Sequence, residues 1–172
     1  MINIIEIKAK SNDHAKIRAI LLSNDAHLKG KDHQVDIYFN APNGRLKLRK
    51  GDIENNLIYY ERANNSGPKH SKVSLYKSDP SSTLKTVLEN AMGTKVVVDK
   101  QREIYFIDNV KFHLDEVKDL GTFVEIEAID ENGQKSTQEL LAQCQNYLKL
   151  FEIEDDDLIA VSYSDLILDL QS

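Results

Sequence analysis

Cysteine occurs once in the 172 residues, at Cys144, which rules out an internal disulfide framework and a cysteine-rich zinc site. Three prolines and seven glycines are too few for a low-complexity linker, and neither a fixed-period repeat nor a domain boundary shows. No apolar run approaches the ~18 residues that a membrane span needs. The start, Met1-Ile2-Asn3-Ile4-Ile5-Glu6, has neither a basic region nor an apolar signal segment. Gly-x-Gly-x-x-Gly and P-loop patterns are missing, no serine sits in a nucleophile elbow, and the five histidines have no zincin spacing. The acidic run Glu154-Asp155-Asp156-Asp157 lacks the alternating ligands and the glycine of a calcium loop and reads as a solvated turn before a helix cap. These absences predict one cytoplasmic domain over residues 1–172, with no membrane partner.

Apolar residues make up 41% of the chain, enough to bury a core, and charged residues 29%. The net charge of −6 argues against a general nucleic-acid binder. The charge is unevenly spread. Residues 1–110 hold 18 Lys and Arg against 13 Asp and Glu, whereas residues 111–172 hold 4 against 15. A basic half can hold an anion and an acidic half can supply carboxylates.

Short alternating stretches dominate and read as strands at 2–9, 34–39, 45–50, 56–62, 70–76, 95–107, 110–117 and 122–129. Asn43-Gly44 and Asp108-Asn109 supply tight turns between neighbours. Helices are expected over 13–23, capped by Asp13, and over 80–91, capped by Asp79 with Pro80 in the first turn. A third is expected over 137–151, opened by the Ser136–Glu139 capping box, and a short one after Ser162. Cys144 falls on the apolar stripe of the third helix and reads as core.

Residues two apart in a strand share a face. Arg45, Lys47 and Arg49 therefore lie together, as do Glu6 with Lys8, Lys100 with Arg102, His113 with Asp115, and Glu125 with Glu127. The opposite faces are apolar. Like charges segregated by strand repel one another. The arrangement becomes favourable if the sheet curls into a channel, with a polyanion between the basic strands, a cation between the acidic ones, and helices covering the apolar outside. A triphosphate with Mg²⁺ or Mn²⁺ fits that description.

These segments resemble the CYTH family of triphosphate tunnel enzymes, which includes class IV adenylyl cyclases and thiamine triphosphatases. The residues that carry the resemblance are Ile5-Glu6-Ile7-Lys8, Gly44-Arg45-Leu46-Lys47-Leu48-Arg49, Ile58-Tyr59-Tyr60-Glu61-Arg62, His113-Leu114-Asp115-Glu116-Val117 and Gly121-Thr122-Phe123-Val124-Glu125-Ile126-Glu127. The resemblance implies an α+β fold, an eight-stranded antiparallel barrel with a charged interior covered by helices. It implies Glu6, Asp115, Glu125 and Glu127 as ligands of Mg²⁺ or Mn²⁺. It implies Lys8, Arg45, Lys47, Arg49, Arg62, Lys69, Lys72, Lys100 and Arg102 along the phosphate path, with Glu6, Lys8, Lys100 and Arg102 closest to the chemistry. The expected protein is a monomer or homodimer that hydrolyses a nucleoside, inorganic or thiamine triphosphate. The alternatives are a class IV-type adenylate cyclase and a non-catalytic polyphosphate or nucleotide binder. One position departs from the family's Glu-x-Glu-x-Lys motif: Ile4 stands where the first glutamate would be. That departure predicts the loss of a second metal site.

Overall fold

The computed structural model describes residues 2–62, 64 and 67–172. Eight strands run β1 (Ile2–Lys10), β2 (His27–Phe39), β3 (Arg45–Gly51), β4 (Asn56–Glu61), β5 (Lys69–Lys77), β6 (Thr94–Ile107), β7 (Val110–Val117) and β8 (Gly121–Asp130). They close into a barrel in the order β1-β5-β4-β3-β2-β6-β7-β8, with every neighbouring pair antiparallel. Closure leaves no unpaired sheet edge. The expected eight-stranded α+β barrel is what the chain adopts.

Four helices flank the barrel: α1 (His14–Ser23), α2 (Leu84–Met92), α3 (Thr137–Leu150) and α4 (Tyr163–Gln171). The alternation in the strands decides where each one packs. The outward Ile5, Ile7 and Ala9 of β1 join Phe112, Leu114, Val124 and Ile126 beneath α1 and α3, in a cluster that includes Ile17, Leu21, Leu140 and Cys144. Cys144 is buried there, and burial pushes its thiol up to about 12, so it is inert core. On the far side, Ile37, Phe39 and Leu48 meet Leu84, Leu88 and Met92 of α2. No helix among the described residues is long and apolar enough to cross a membrane.

The fourth helix packs differently. Tyr163 and Ile167 of α4 cluster with the inward residues Tyr38, Tyr60, Val98, Val117 and Phe123. α4 and the segment before it therefore lie across one end of the barrel. Lys69 donates to the Ile159 carbonyl at 2.6 Å, and the Ile159 amide donates to the Lys8 carbonyl at 2.9 Å. Exposure of inward side chains follows: Lys69 is 1% exposed at the covered end, and Leu75, six residues along the same strand, is 45% exposed at the other.

Two local expectations need correction. The strand expected over 34–39 begins seven residues earlier, at His27, with a register shift between Leu28 and Gly30. The helix expected from Asp79 begins at Leu84. Asp79 closes a turn of its own by accepting from the Ser81 amide and hydroxyl, at 2.8 and 2.7 Å, which competes with helix initiation. The caps at Asp13, Ser136 and Ser162 form as expected.

Candidate active site

The inward faces of the strands line a cavity of about 660 Å³. On its basic side one carboxylate gathers three cations. Asp36 of β2 accepts from Arg49 Nε at 2.8 Å, Arg49 Nη2 at 2.9 Å, Lys100 Nζ at 2.8 Å and Lys47 Nζ at 3.0 Å. The register explains this meeting, since Asp36 pairs directly with Arg49 while Lys100 pairs with the neighbouring inward residue Gln34. Burial alone would raise the Asp36 pKa, but Arg49, Lys100 and Lys47 outweigh it and hold the carboxyl well below the usual range. Lys100 is pushed the other way, down to about 7. Burial dominates there, and Arg49, Arg102 and Lys47 add repulsion that Asp36 only partly offsets.

A second network lies between β6, β7 and β8. Arg102 makes a bidentate pair with Asp115, both contacts at 2.6 Å, and its Nη2 reaches Glu125 at 2.9 Å. Tyr163 of α4 donates to Asp115 at 2.8 Å and lays its ring 3.9 Å from Lys8 Nζ. Lys8 pairs with Glu125 at 3.1 Å. Burial opposes the ionised form of Glu125, yet Lys8 and Arg102 hold its pKa well below the usual value.

Beside this network, His113, Glu125 and Glu127 bring one ligand atom each within 4.8 Å of one another. His113 Nδ1 lies 3.0 Å from Glu125 Oε2 and 3.8 Å from Glu127 Oε1, while its buried Nε2 has no hydrogen-bond partner among the described residues. Burial and then Arg102 lower the His113 pKa, which favours the neutral imidazole, the form that binds metals. One nitrogen and two carboxylates suit a divalent cation, so the donor set fits.

The expected ligands are distributed between two places. Glu125 and Glu127 lie together, and the residue grouped with them is His113. Asp115 has both oxygens taken by Arg102 and Tyr163. Glu6 pairs in register with Glu127, yet its carboxylate is bound by Arg62. Among the expected basic residues, Lys8, Lys47, Arg49, Arg62, Lys100 and Arg102 line the cavity. Arg45 does not; it pairs with Asp165 of α4 at 2.9 Å and borders a separate cavity of about 280 Å³. Lys69 faces inward but is spent on the Ile159 carbonyl, and burial followed by repulsion from Arg62 lowers its pKa to about 8. Lys72 is exposed on the outer face, where it pairs in register with Asn3 and Glu61, and takes no part in the tunnel.

Glu54, between β3 and β4, was not anticipated from sequence. Its Oε1 accepts from Lys111 at 2.6 Å and its Oε2 from Arg49 at 3.3 Å. Asp32 fixes the segment by accepting from the Ile53 and Glu54 amides, at 2.8 and 3.0 Å. Nothing in the local pattern marks Glu54, because it faces the cavity from a turn. Asp36 and His113 are different: each sits at the inward parity of its strand, with Tyr38 and Asp115 as neighbours on that face.

The chain belongs to the CYTH domain family, whose profile matches residues 3–163. The fold and the family together place it among the triphosphate-tunnel enzymes. A Methanocaldococcus jannaschii protein bearing the name "Putative adenylate cyclase MJ0240" is 28% identical over 176 residues, covering 94% of this chain and 97% of its own. The PH1012 protein of Pyrococcus horikoshii has the same fold, with a TM-score of 0.79 and 24% identity over 95% of this chain and 98% of that one. HpAC1 of Hippeastrum, described as revealing a dominant triphosphatase activity, superimposes with a TM-score of 0.63 at 15% identity, over 99% and 96% of the two chains.

Proposed function

We propose that the protein is a divalent-cation-dependent triphosphatase that removes the terminal phosphoryl group of a triphosphate. The observation that carries this reading is the convergence in one cavity of Lys8, Lys47, Arg49, Arg62, Lys100 and Arg102 with Glu125 and Glu127, beside which His113 completes the cation-binding trio. The phosphate chain lies along the basic side. Its oxygens take over donors now held by Asp36 and Glu125, since a lysine has three N–H groups and an arginine five. His113, Glu125 and Glu127 would hold the divalent cation, which would neutralise charge developing on the transferred group. The chain's own contribution is positioning. Lys100 and Arg102 hold the reacting phosphate, while Asp115, Tyr163 and Asp36 hold those cations in place. The covered end keeps the phosphates in a low-dielectric environment, where fixed charges act more strongly.

The second reading is an adenylate cyclase, favoured by the name of the Methanocaldococcus relative. There the ribose 3′-hydroxyl attacks the α-phosphate and pyrophosphate leaves. The deciding experiment offers ATP, inorganic triphosphate and thiamine triphosphate, each with Mg²⁺ or Mn²⁺, and identifies the products. Orthophosphate release supports the triphosphatase. Cyclic AMP with pyrophosphate replaces it with the cyclase, and binding without turnover replaces both with a non-catalytic binder.

A further inference from the structure

Inward carboxylates meet where β1 pairs with β8, and the protein uses them in two ways. Glu6 of β1 is the register partner of Glu127, and Lys8 is that of Glu125. All four line the cavity. Glu125 and Glu127 fall in the group with His113, whereas Glu6 lies outside it, and no other such group of three occurs among the described residues. Glu6 is bound instead by Arg62, which follows the end of β4 and lines the same cavity. Its inward neighbours along β1 are Ile4 on one side and Lys8 on the other, and neither is a metal ligand. Ile4 in turn pairs with Ile129 of β8, so the next step toward the open end adds no carboxylate.

Arg62 is an incompletely paired cation. Its side chain is 4% exposed and Nη1 meets Glu6, while Nε and Nη2 have no hydrogen-bond partner among the described residues. Burial lowers its pKa, against the pull of Glu125, Asp165 and Glu127. A guanidinium keeps its charge inside proteins, so a fixed positive charge stands near the carboxylates of the cation trio. Such a charge is costly to bury, and an anion drawn to it relieves the cost. The same charge repels a divalent ion from Glu6, which has no second carboxylate beside it on β1 to help hold one. Phosphoryl transfer gains from two positive centres on the transferred group, whether two metal ions or one ion and an arginine.

We propose that Arg62, anchored by Glu6, is the second positive centre of the site, so that the protein works with a single divalent ion. Ile4, Glu6 and Arg62 then form one device. The isoleucine leaves Glu6 without a fellow ligand, Glu6 holds the guanidinium, and the guanidinium supplies the charge. Glu6 is a positioning residue here, since it acts through Arg62. The inference rests on the triphosphate reading above and assigns the roles of Glu6 and Arg62 that this reading leaves open.

The test counts Mn²⁺ on the full chain by electron paramagnetic resonance and follows inorganic triphosphate, with Mg²⁺ present, by calorimetry. The native protein should hold one Mn²⁺ tightly. Arg62→Ala removes a positive charge from beside the trio, so its Mn²⁺ should bind about tenfold tighter while triphosphate binds about tenfold weaker. Opposite shifts for a cation and an anion are not what loss of a merely structural residue produces. Arg62→Lys keeps the charge and should stay within about threefold of the native protein on both measures. Adding Ile4→Glu to Arg62→Ala should admit a second tight Mn²⁺. If thermal unfolding shows that Arg62→Ala folds poorly, Arg62→Ala combined with Glu6→Gln removes both members of the pair and should show the same loss of triphosphate affinity. The native count needs no variant. Any native count other than one, or Arg62→Ala unchanged on both measures, would overturn the inference and leave the triphosphate reading standing. Failure of the native protein to bind triphosphate would overturn that reading, and the inference with it.

Discussion

Asp36 holds three buried cations and is the residue on which the basic side depends. Removing one partner of a buried ion pair typically costs about 3–5 kcal/mol, because the remaining charge is left uncompensated. Asp36→Asn should lose stability in that range by denaturant unfolding. A bound triphosphate supplies the missing negative charge, so the variant's thermal midpoint should rise more on adding ligand than the native protein's does. Glu125 and Glu127 should differ for the same reason. Glu125 is tied to Lys8, Arg102 and His113, whereas Glu127 pairs with no lysine or arginine among the described residues. Glu127→Gln should lose metal-dependent turnover by about 10²-fold or more with its melting temperature unchanged, while Glu125→Gln loses both. Full turnover in Glu127→Gln would put the cation elsewhere. Lys100 makes a pH prediction. Its pKa lies near 7, pulled down by burial and by Arg49, Arg102 and Lys47, with Asp36 opposing. A lowered lysine pKa means that the free protein is partly deprotonated above pH 7 while an anion favours the protonated form. Triphosphate affinity should therefore fall as pH rises through about 7, and binding near that pH should take up protons, seen as a dependence of calorimetric heat on buffer ionisation enthalpy.

At the scale of elements, α4 is the piece that positions the site from outside the sheet. The Ser162 hydroxyl accepts from the Asp165 amide, and Asp165 in turn accepts from the Ser162 amide and from Arg45. Ser162→Ala should cost about 1 kcal/mol of stability, the usual value of a lost N-cap. It should also loosen Tyr163, whose hydroxyl orients Asp115 behind Arg102, and so reduce kcat more than KM. An unchanged kcat would mean that the helix is only a cover. Strands such as β3 and β8 could be recognised in the sequence because strict alternation of ionic and apolar residues leaves one solution. The first half of β2 could not, since His27, Lys29, Lys31 and His33 give no apolar face and the strand is held by pairing with β6. The inward parity of Asp36 and His113 could also be read locally. Their partners could not, because which cation meets which carboxylate depends on register between strands far apart in sequence. Arg45 lies at the inward parity of its strand but borders the second cavity, because spacing gives a face whereas depth along the barrel comes only with closure, and Lys72 takes the outer parity of β5.

For the whole molecule, the buried carboxylates of the tunnel are already paired with cations of the protein. Asp36, Asp115 and Glu54 each pair with a buried lysine or arginine. Chelating the divalent ion with EDTA should therefore abolish turnover while shifting the unfolding midpoint by no more than a few degrees, unlike a structural metal site, whose binding energy is folding energy. A large loss of stability on chelation would show that the ion completes the fold. The barrel also has a direction, since α4 covers one end and Leu75 marks the open one. For a ligand that enters and leaves past Leu75, departure is ordered as in a queue. On the triphosphate reading, a fragment cut off on the inner side must wait for the outer fragment to leave, so it should be the slower to depart and should bind the emptied tunnel as an inhibitor. The sequence of product inhibition then becomes a reading of which way round the ligand sits.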